Sequence, residues 1–500
     1  MTKILASKLA TGIGLALAAG NALADSALAG NSFEHFTPLA ASAGPTADES
    51  APITFGNPAF AQRSIADRNA QLAANVPNSG SWDMITLNES GQDKGRYLFT
   101  VFETGSAGVQ RHDLWTGQVD TVWQSPSAVS PTNHVAFDAS YWTPWGTFIT
   151  AEESWTTAAG GSSSPYGRLF ELRNPTVAPA VVNPVNAASN TGADFVHRNV
   201  IPRTSHEGIQ FDRVGNMYFI DELNGGTVFK YTSAARMQDI KRGGVEYFAA
   251  GQTFVLRVGD GTTANATGSF QWVPITDTTG VGLPGTLTIA DVNGVRSVDG
   301  RNTVDLAAFR GTDYQRPEDL QIQFRKGREL LYMTTTTTNE VYVLDLAART
   351  ISVFANRNTL DLATGVAIGA ALASPDNLAI DHDGNIYVIE DRNGGVDDDI
   401  WFARDLNLDG DIADVGEGLG RWASNGTPGS EFTGLYFDPR NKRRAWVNIQ
   451  HPASGNDRTI EILAPAEEDN HGGHHDHDHD HQDRDDRDGR GDHRYNRYRY

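Results

Sequence analysis

The chain has 500 residues, a formal charge of −22 and no cysteine. Thiolate chemistry and disulfide staples are therefore excluded, and the charge argues against nucleic acid or anionic membrane as a partner, because phosphate backbones are bound through clustered Lys and Arg. The same excess of carboxylates favours cation binding, and regular strand spacing from about residue 95 to 463 predicts one large all-β unit.

In chain order, Lys3 and Lys8 precede an apolar stretch from Leu9 to Ala19 and then Ala22-Leu23-Ala24. Over residues 1–24 this is the pattern of a secretory signal with an A-x-A cleavage site. The stretch is too short and too Gly-rich to span a bilayer, so no membrane insertion is expected. No paired Arg precedes it, which points to the general secretory route, a periplasmic or secreted protein, and metals acquired after export. Residues 25–80, rich in Ala, Ser and Pro, read as a loosely ordered arm without chemistry. Residues 81–465 read as a β-propeller, with the Gly- and Thr-rich stretch 253–310 as inserted hairpins or a lid.

The propeller reading rests on acids in a repeated phase. In His206-Glu207-Gly-Ile-Gln-Phe-Asp212, Pro317-Glu318-Asp-Leu-Gln-Ile, Pro375-Asp376-Asn-Leu-Ala-Ile-Asp381 and Ser430-Glu431-Phe-Thr-Gly-Leu-Tyr-Phe-Asp438, an acid opens a short alternating run that ends in a turn. A second apolar run follows each turn. Glu318 to Asp376 is 58 residues and Asp376 to Glu431 is 55, close to a large blade, whereas Glu207 to Glu318 is about two. Blades place their innermost strands around one channel, so these acids would meet at one mouth. Carboxylates gathered that closely repel one another unless a cation neutralises them. An oxygen-rich set suits calcium, with room for trivalent iron.

Near the C-terminus, Asp405-Leu-Asn407-Leu-Asp409-Gly-Asp411-Ile reproduces the opening of an EF-hand-type calcium loop, although Gly416 stands where the bidentate Glu is expected. The alternative is an acidic surface turn. Residues 466–500 hold His471, His474, His475, His477, His479 and His481 interleaved with Asp, then Arg and Tyr. With nothing apolar to bury, this tail is expected to be disordered, and its composition suits either chelation of divalent metals or simple solubilisation.

Taken together, Thr143-Pro-Trp-Gly-Thr with Glu152-Glu153, Ser205-His-Glu-Gly, Arg316-Pro-Glu, Ser374-Pro-Asp-Asn, Gly429-Ser-Glu and Asn448-Ile-Gln-His-Pro resemble, in order, the PhoX-type alkaline phosphatases. The resemblance implies a six-bladed propeller with iron and calcium in its active site, hydrolysing small phosphate monoesters. It further implies that Glu152 or Glu153, Glu207 and Glu318 are metal ligands and that Arg316 contacts phosphate. Asp376 and Glu431, in the same phase, join the ligand candidates. The family's iron-binding Cys lies in a segment that reads Phe137-Asp138-Ala-Ser-Tyr-Trp142 here, with Asp138 at its place. A carboxylate there favours a harder metal set, down to calcium alone.

His206 could orient Glu207 or a metal-bound water, or be structural; His451 could line the same mouth or close the ring by a buried hydrogen bond. Arg316 could equally pair with Glu318 or Asp319. Two other functions fit parts of the chain. Pro375 to Tyr387 also resembles the blade motif of calcium-dependent lactone hydrolases, and the acidity alone suits a catalytically inactive calcium-binding propeller. No G-x-S-x-G elbow or P-loop is present. A monomer is expected.

Overall fold

A computed structural model describes residues 33–125, 135–154, 164–177, 194–291, 294–392 and 398–465. The signal segment and the His/Asp tail lie outside the described residues. The fold is all-β with a propeller-like arrangement, its helices limited to short pieces such as Arg68–Ala73 and Met237–Arg242. Among the described residues no helix is long and apolar enough to cross a membrane.

The repeating unit is an antiparallel meander. One sheet runs Trp82–Leu87, Tyr97–Phe102, Gly108–Asp113, Val119–Gln124, and the next Phe137–Trp142, Phe148–Glu152, Leu169–Leu172, Phe195–His197. A nine-stranded sheet contains two successive meanders, one from Ile209–Phe211 to Gly251–Val258 and one from Pro317–Arg325 to Thr350–Ala355. The strand Gly268–Pro274 joins their outer edges. Two further meanders begin at Pro375–Ile380 and Glu431–Phe437. The first strands of these units touch one another in a closed order, Trp82–Leu87 to Phe137–Trp142 and onward round to Glu431–Phe437, which returns to Trp82–Leu87.

Local chemistry makes these hairpins. The acids that end the alternating runs are turn residues: Asp212 Oδ1 accepts from the N–H of Val214, Gly215 and Asn216, and Asp381 Oδ1 from Asp383 and Asn385. Such bonds replace the backbone partners that a tight turn removes. Gly215 and Gly384 take positive φ within them, where a side chain would be strained.

Two stretches differ from the sequence-based expectation. Within the supposed N-terminal arm, Ile53–Phe55 pairs with the strand Gly418–Asn425 and Ala61–Asp67 pairs with Arg458–Leu463 as the fourth strand of the last sheet. Phe33, Phe36, Phe55 and Phe60 are buried there; Phe33 packs 4.9 Å from Phe437 and 6.2 Å from Trp422, ring centre to ring centre. Each such ring contributes about 2–3 kcal/mol of burial. The partners of this segment lie at the other end of the chain, and pairing with them makes it strand. Likewise, residues 253–258 belong to a meander strand and not to an insertion, while Thr288–Ala290 and Arg296–Val298 form a separate small hairpin.

Candidate metal centre

Each meander contributes an acid at the start of its first strand or, for Glu207, two residues ahead of it: Asp83, Asp138, Glu207, Glu318, Asp376 and Glu431. Four of them sit inside a register irregularity at the same place, between Trp82 and Ile85, Phe137 and Ser140, Pro317 and Leu320, and Pro375 and Leu378. A bulge gives the strand an extra residue and re-aims its side chain. Here the re-aimed residue is the acid.

The second strand of four meanders is followed within two residues by another acid: Glu103, Glu153, Glu222 and Asp391. Its backbone N–H donates to a carbonyl ahead of the first strand, Glu103 to Ser81 at 2.9 Å, Glu153 to Ala136 at 2.8 Å, Glu222 to Ser205 at 2.9 Å and Asp391 to Ser374 at 3.0 Å. Thr336 bonds to Arg316 in the same way at 3.1 Å. Ser81, Ala136, Arg316 and Ser374 all have positive φ, between 41° and 54°. Left-handed backbone costs a non-glycine residue about 1–2 kcal/mol, so the frame that carries the acids holds strain at four equivalent points.

The carboxylates crowd one another. Ligand oxygens of Glu207, Glu318 and Asp376 all lie within 4.8 Å of each other. Burial, then Glu222, pushes Glu318 up to about 8. Burial, then Asp376 and Glu318, pushes Glu207 well above the carboxylate range, and Asp376 is raised by burial, Glu318 and Asp391. Burial followed by neighbouring carboxylates also raises Asp83, Asp138, Glu153 and Glu431. Buried acceptors lack donors: Asp138 Oδ1, Glu318 Oε2 and Glu431 Oε2 have no hydrogen-bond partner among the described residues. Such oxygens are costly unless a proton or a cation meets them.

Positive charge and donors are few. Arg316 Nη2 donates to Glu222 Oε1 at 2.6 Å and stands 3.3 Å from Glu318 Oε1, with a fifth of its side chain exposed. Burial alone would lower its pKa, but Glu318 and Glu222 outweigh it and raise it. His451 Nε2 lies 2.6 Å from Glu431 Oε1, and its ring meets the Gly429 carbonyl at 3.1 Å. Gln450 Nε2 donates to Glu103 at 2.7 Å, and Asn377 Nδ2 to Glu207 at 3.3 Å.

Two candidates point elsewhere. Glu152 turns away from the cluster and is paired with Arg168, Oε1 to Nη2 at 2.6 Å, whereas its neighbour Glu153 faces Glu103 and Glu222. Adjacent strand residues point to opposite faces. His206 is likewise separated from Glu207: its ring packs 5.3 Å from Phe219, and burial followed by Arg301 lowers its pKa to about 3. Its ring thus lies against Phe219 and outside the acid cluster. In the acidic loop, Asp405 already accepts backbone N–H groups from Leu408, Asp409 and Gly410, and Glu417 accepts from Leu406, Asn407 and Asp414. Those carboxylates are committed to the turn, and Asn407, Asp409 and Asp411 sit in it with them.

Sequence reasoning missed Asp83, Glu103, Glu222 and Asp391. The signal was present: Phe219-Ile-Asp-Glu222, Val388-Ile-Glu-Asp391 and Thr150-Ala-Glu-Glu153 each end an apolar run in paired acids, the first structural and the second facing the cluster. Asp221 accepts from Ser205 N–H at 2.9 Å, and Glu390 from Trp401 Nε1 at 3.0 Å.

The alkaline phosphatase PhoX family model matches residues 139–453. The chain belongs to the PhoX alkaline phosphatase family. The match begins one residue after Asp138 and spans Glu153, Glu207, Arg316, Glu318, Asp376 and Glu431, so most of the acid cluster falls within PhoX sequence. No curated protein matches the chain. Among solved structures, a putative phosphatase from Bacteroides thetaiotaomicron is similar at 13% identity and TM-score 0.40, covering 78% of this chain and 72% of that one. A calcium-binding protein, regucalcin, from Agrobacterium tumefaciens aligns at 11% identity and TM-score 0.37, covering 81% and 96%. A virginiamycin B lyase from Staphylococcus aureus aligns at 10% identity and TM-score 0.39, covering 81% and 99%.

Proposed function

We propose that this PhoX family member is an exported phosphatase that hydrolyses small phosphate monoesters at a multi-carboxylate cation centre inside a six-bladed propeller. The observation that carries the reading is the convergence of buried carboxylates, three of which keep an oxygen without a donor among the described residues, with Arg316 beside them. The six-blade count takes each half of the nine-stranded sheet as one blade. The reading of export to the periplasm or medium continues the expectation from the leading segment, and the expected state is a monomer.

The donor set fits hard cations, because it is all oxygen, strongly anionic and buried. Glu207, Glu318 and Asp376 would hold one, with Asp138, Glu153 and Glu431 extending the set; calcium is the expected ion. Iron is the finer question, since Asp138 stands where the family has Cys and offers a harder ligand. When bound, such cations supply charge neutralisation and a water of lowered pKa. The chain's own residues do the positioning. Arg316 can present its planar fork to two phosphate oxygens, which Lys cannot do, and its charge opposes the negative charge that builds on the transferring group. His451, held on Glu431 and more than a third exposed, is open to an incoming substrate.

A catalytically inactive calcium-binding propeller is the second reading. It is favoured by the close pairing of Arg316 with Glu222 and Glu318, which engages one terminal nitrogen of the fork. Elemental analysis of the tail-deleted mature protein, with aryl-phosphate hydrolysis measured with and without calcium, separates the two. Turnover abolished in Glu318→Ala is the expected result; bound calcium with no turnover would overturn the phosphatase reading, and turnover of a lactone instead would replace it.

A further inference from the structure

Beyond the acids, the first strands of the meanders continue into a cavity of about 330 Å³. Ser140, Gln210, Gln321, His382 and Tyr436 contribute to its wall from different strands, and so does Glu207. Glu207 therefore belongs both to the closely spaced acid trio and to this cavity. The Ser140 hydroxyl is buried, lines the cavity and has no hydrogen-bond partner among the described residues. Asn377 links the two spaces, donating to Glu207 and accepting from the N–H of Gly434 at 2.8 Å, itself a wall residue.

The strands are close where the two spaces meet. At Gly208 a Cβ would fall 2.2 Å from the Leu320 nitrogen, and at Gly434, with φ of 61°, 2.6 Å from the Ile85 nitrogen. Neighbouring strands thus approach backbone to backbone there, leaving no room for a bulky ester. A polar orphan, a buried carboxylate in the wall and volume for many waters fit a smaller occupant.

We propose that this cavity is a rear vestibule through which water and divalent cations exchange with the Glu207 end of the carboxylate cluster, separately from the mouth at Arg316 and His451. The inference rests on the cation-binding part of the proposed function and not on phosphatase activity. A route that only carries exchange alters rates of loading and release together and leaves affinity unchanged.

The absence of native cysteine makes the test clean. In the mature protein, Gln321→Cys creates a single thiol in the vestibule wall, which a bulky maleimide can then plug in the folded state. Calcium release is followed by stopped flow into a fluorescent chelator, with affinity measured separately by titration. The labelled protein should release calcium more slowly by about an order of magnitude at unchanged affinity, and Ser140→Phe should act in the same direction. An unchanged release rate in the labelled protein, or a thiol that does not react, overturns the vestibule. Absence of calcium binding in the unlabelled protein overturns both the vestibule and the cation centre beneath it.

Discussion

Arg316 reaches Glu222 Oε1 at 2.6 Å and Glu318 Oε1 at 3.3 Å with the same terminal nitrogen, so one guanidinium is the cationic counterpart to carboxylates from two meanders. That arrangement sets two effects of its removal against each other. Arg316→Ala should raise calcium affinity, because a competing positive charge is gone. It should also lower kcat/KM for an aryl phosphate by about 10²–10³, the usual loss when an oriented donor to a developing oxyanion is deleted. Calcium titration beside steady-state kinetics checks both, and Arg316→Lys should recover affinity near the parent value without recovering turnover.

Glu152 and Glu153 should separate by what they support. The Glu152 pair with Arg168 is almost fully buried, and removing one partner leaves an uncompensated charge, so Glu152→Ala should cost about 3–5 kcal/mol with or without calcium. Glu153→Gln should leave the calcium-free protein as stable or more so. Its loss should appear in calcium-dependent stabilisation, which for one site at a hundredfold excess over Kd is about 2.7 kcal/mol. Denaturation in chelator and in calcium distinguishes the two variants.

The pH dependence of the calcium-free protein follows from the raised carboxylates. Glu318 titrates near 4.5 when unfolded and at about 8 in the fold, so between those values the native state holds the extra proton. Stability must then fall as pH rises through that window, its contribution being complete below about 4.5 and gone above about 8. Glu207 and Asp376 act in the same direction. Calcium should reverse the slope by replacing the protons, and its binding at pH 7 should release protons into a weakly buffered solution, measurable with a pH indicator.

Strain ahead of the first strands should be relievable. Ala136 has φ of 41° and no side-chain bond to lose, so Ala136→Gly should stabilise by about 1 kcal/mol. Ala151, buried in the strand Phe148–Glu152, provides the contrast: Ala151→Gly should destabilise by about 0.5–1 kcal/mol. Urea midpoints at constant m-value check both.

Glu207, Glu318, Asp376 and Glu431 were legible because each opens an alternating run, a pattern set by local sequence. Asp83 and Asp138 carry the same phase, but Trp82 and Phe137 before them blur the boundary between turn and strand. What local pattern could not show was facing. Whether Glu152 or Glu153 points inward depends on where the pleat begins, and that is set by the backbone bond from Glu153 to Ala136 and by a bulge across the hairpin. His206 beside Glu207 suffers the same ambiguity. The strands Ile53–Phe55 and Ala61–Asp67 were illegible for a different reason, since their order comes from partners at the other end of the chain.

That last pairing imposes a schedule. The strand Ala61–Asp67 is among the first segments to be synthesised, and its partner Arg458–Leu463 is among the last. No chain still in production can latch its circle, and a chain cut short before Glu431 lacks both the clasp and one of the carboxylates. Occupancy by a cation that needs the full set is thus a certificate of completed closure, issued only after the whole domain has been delivered.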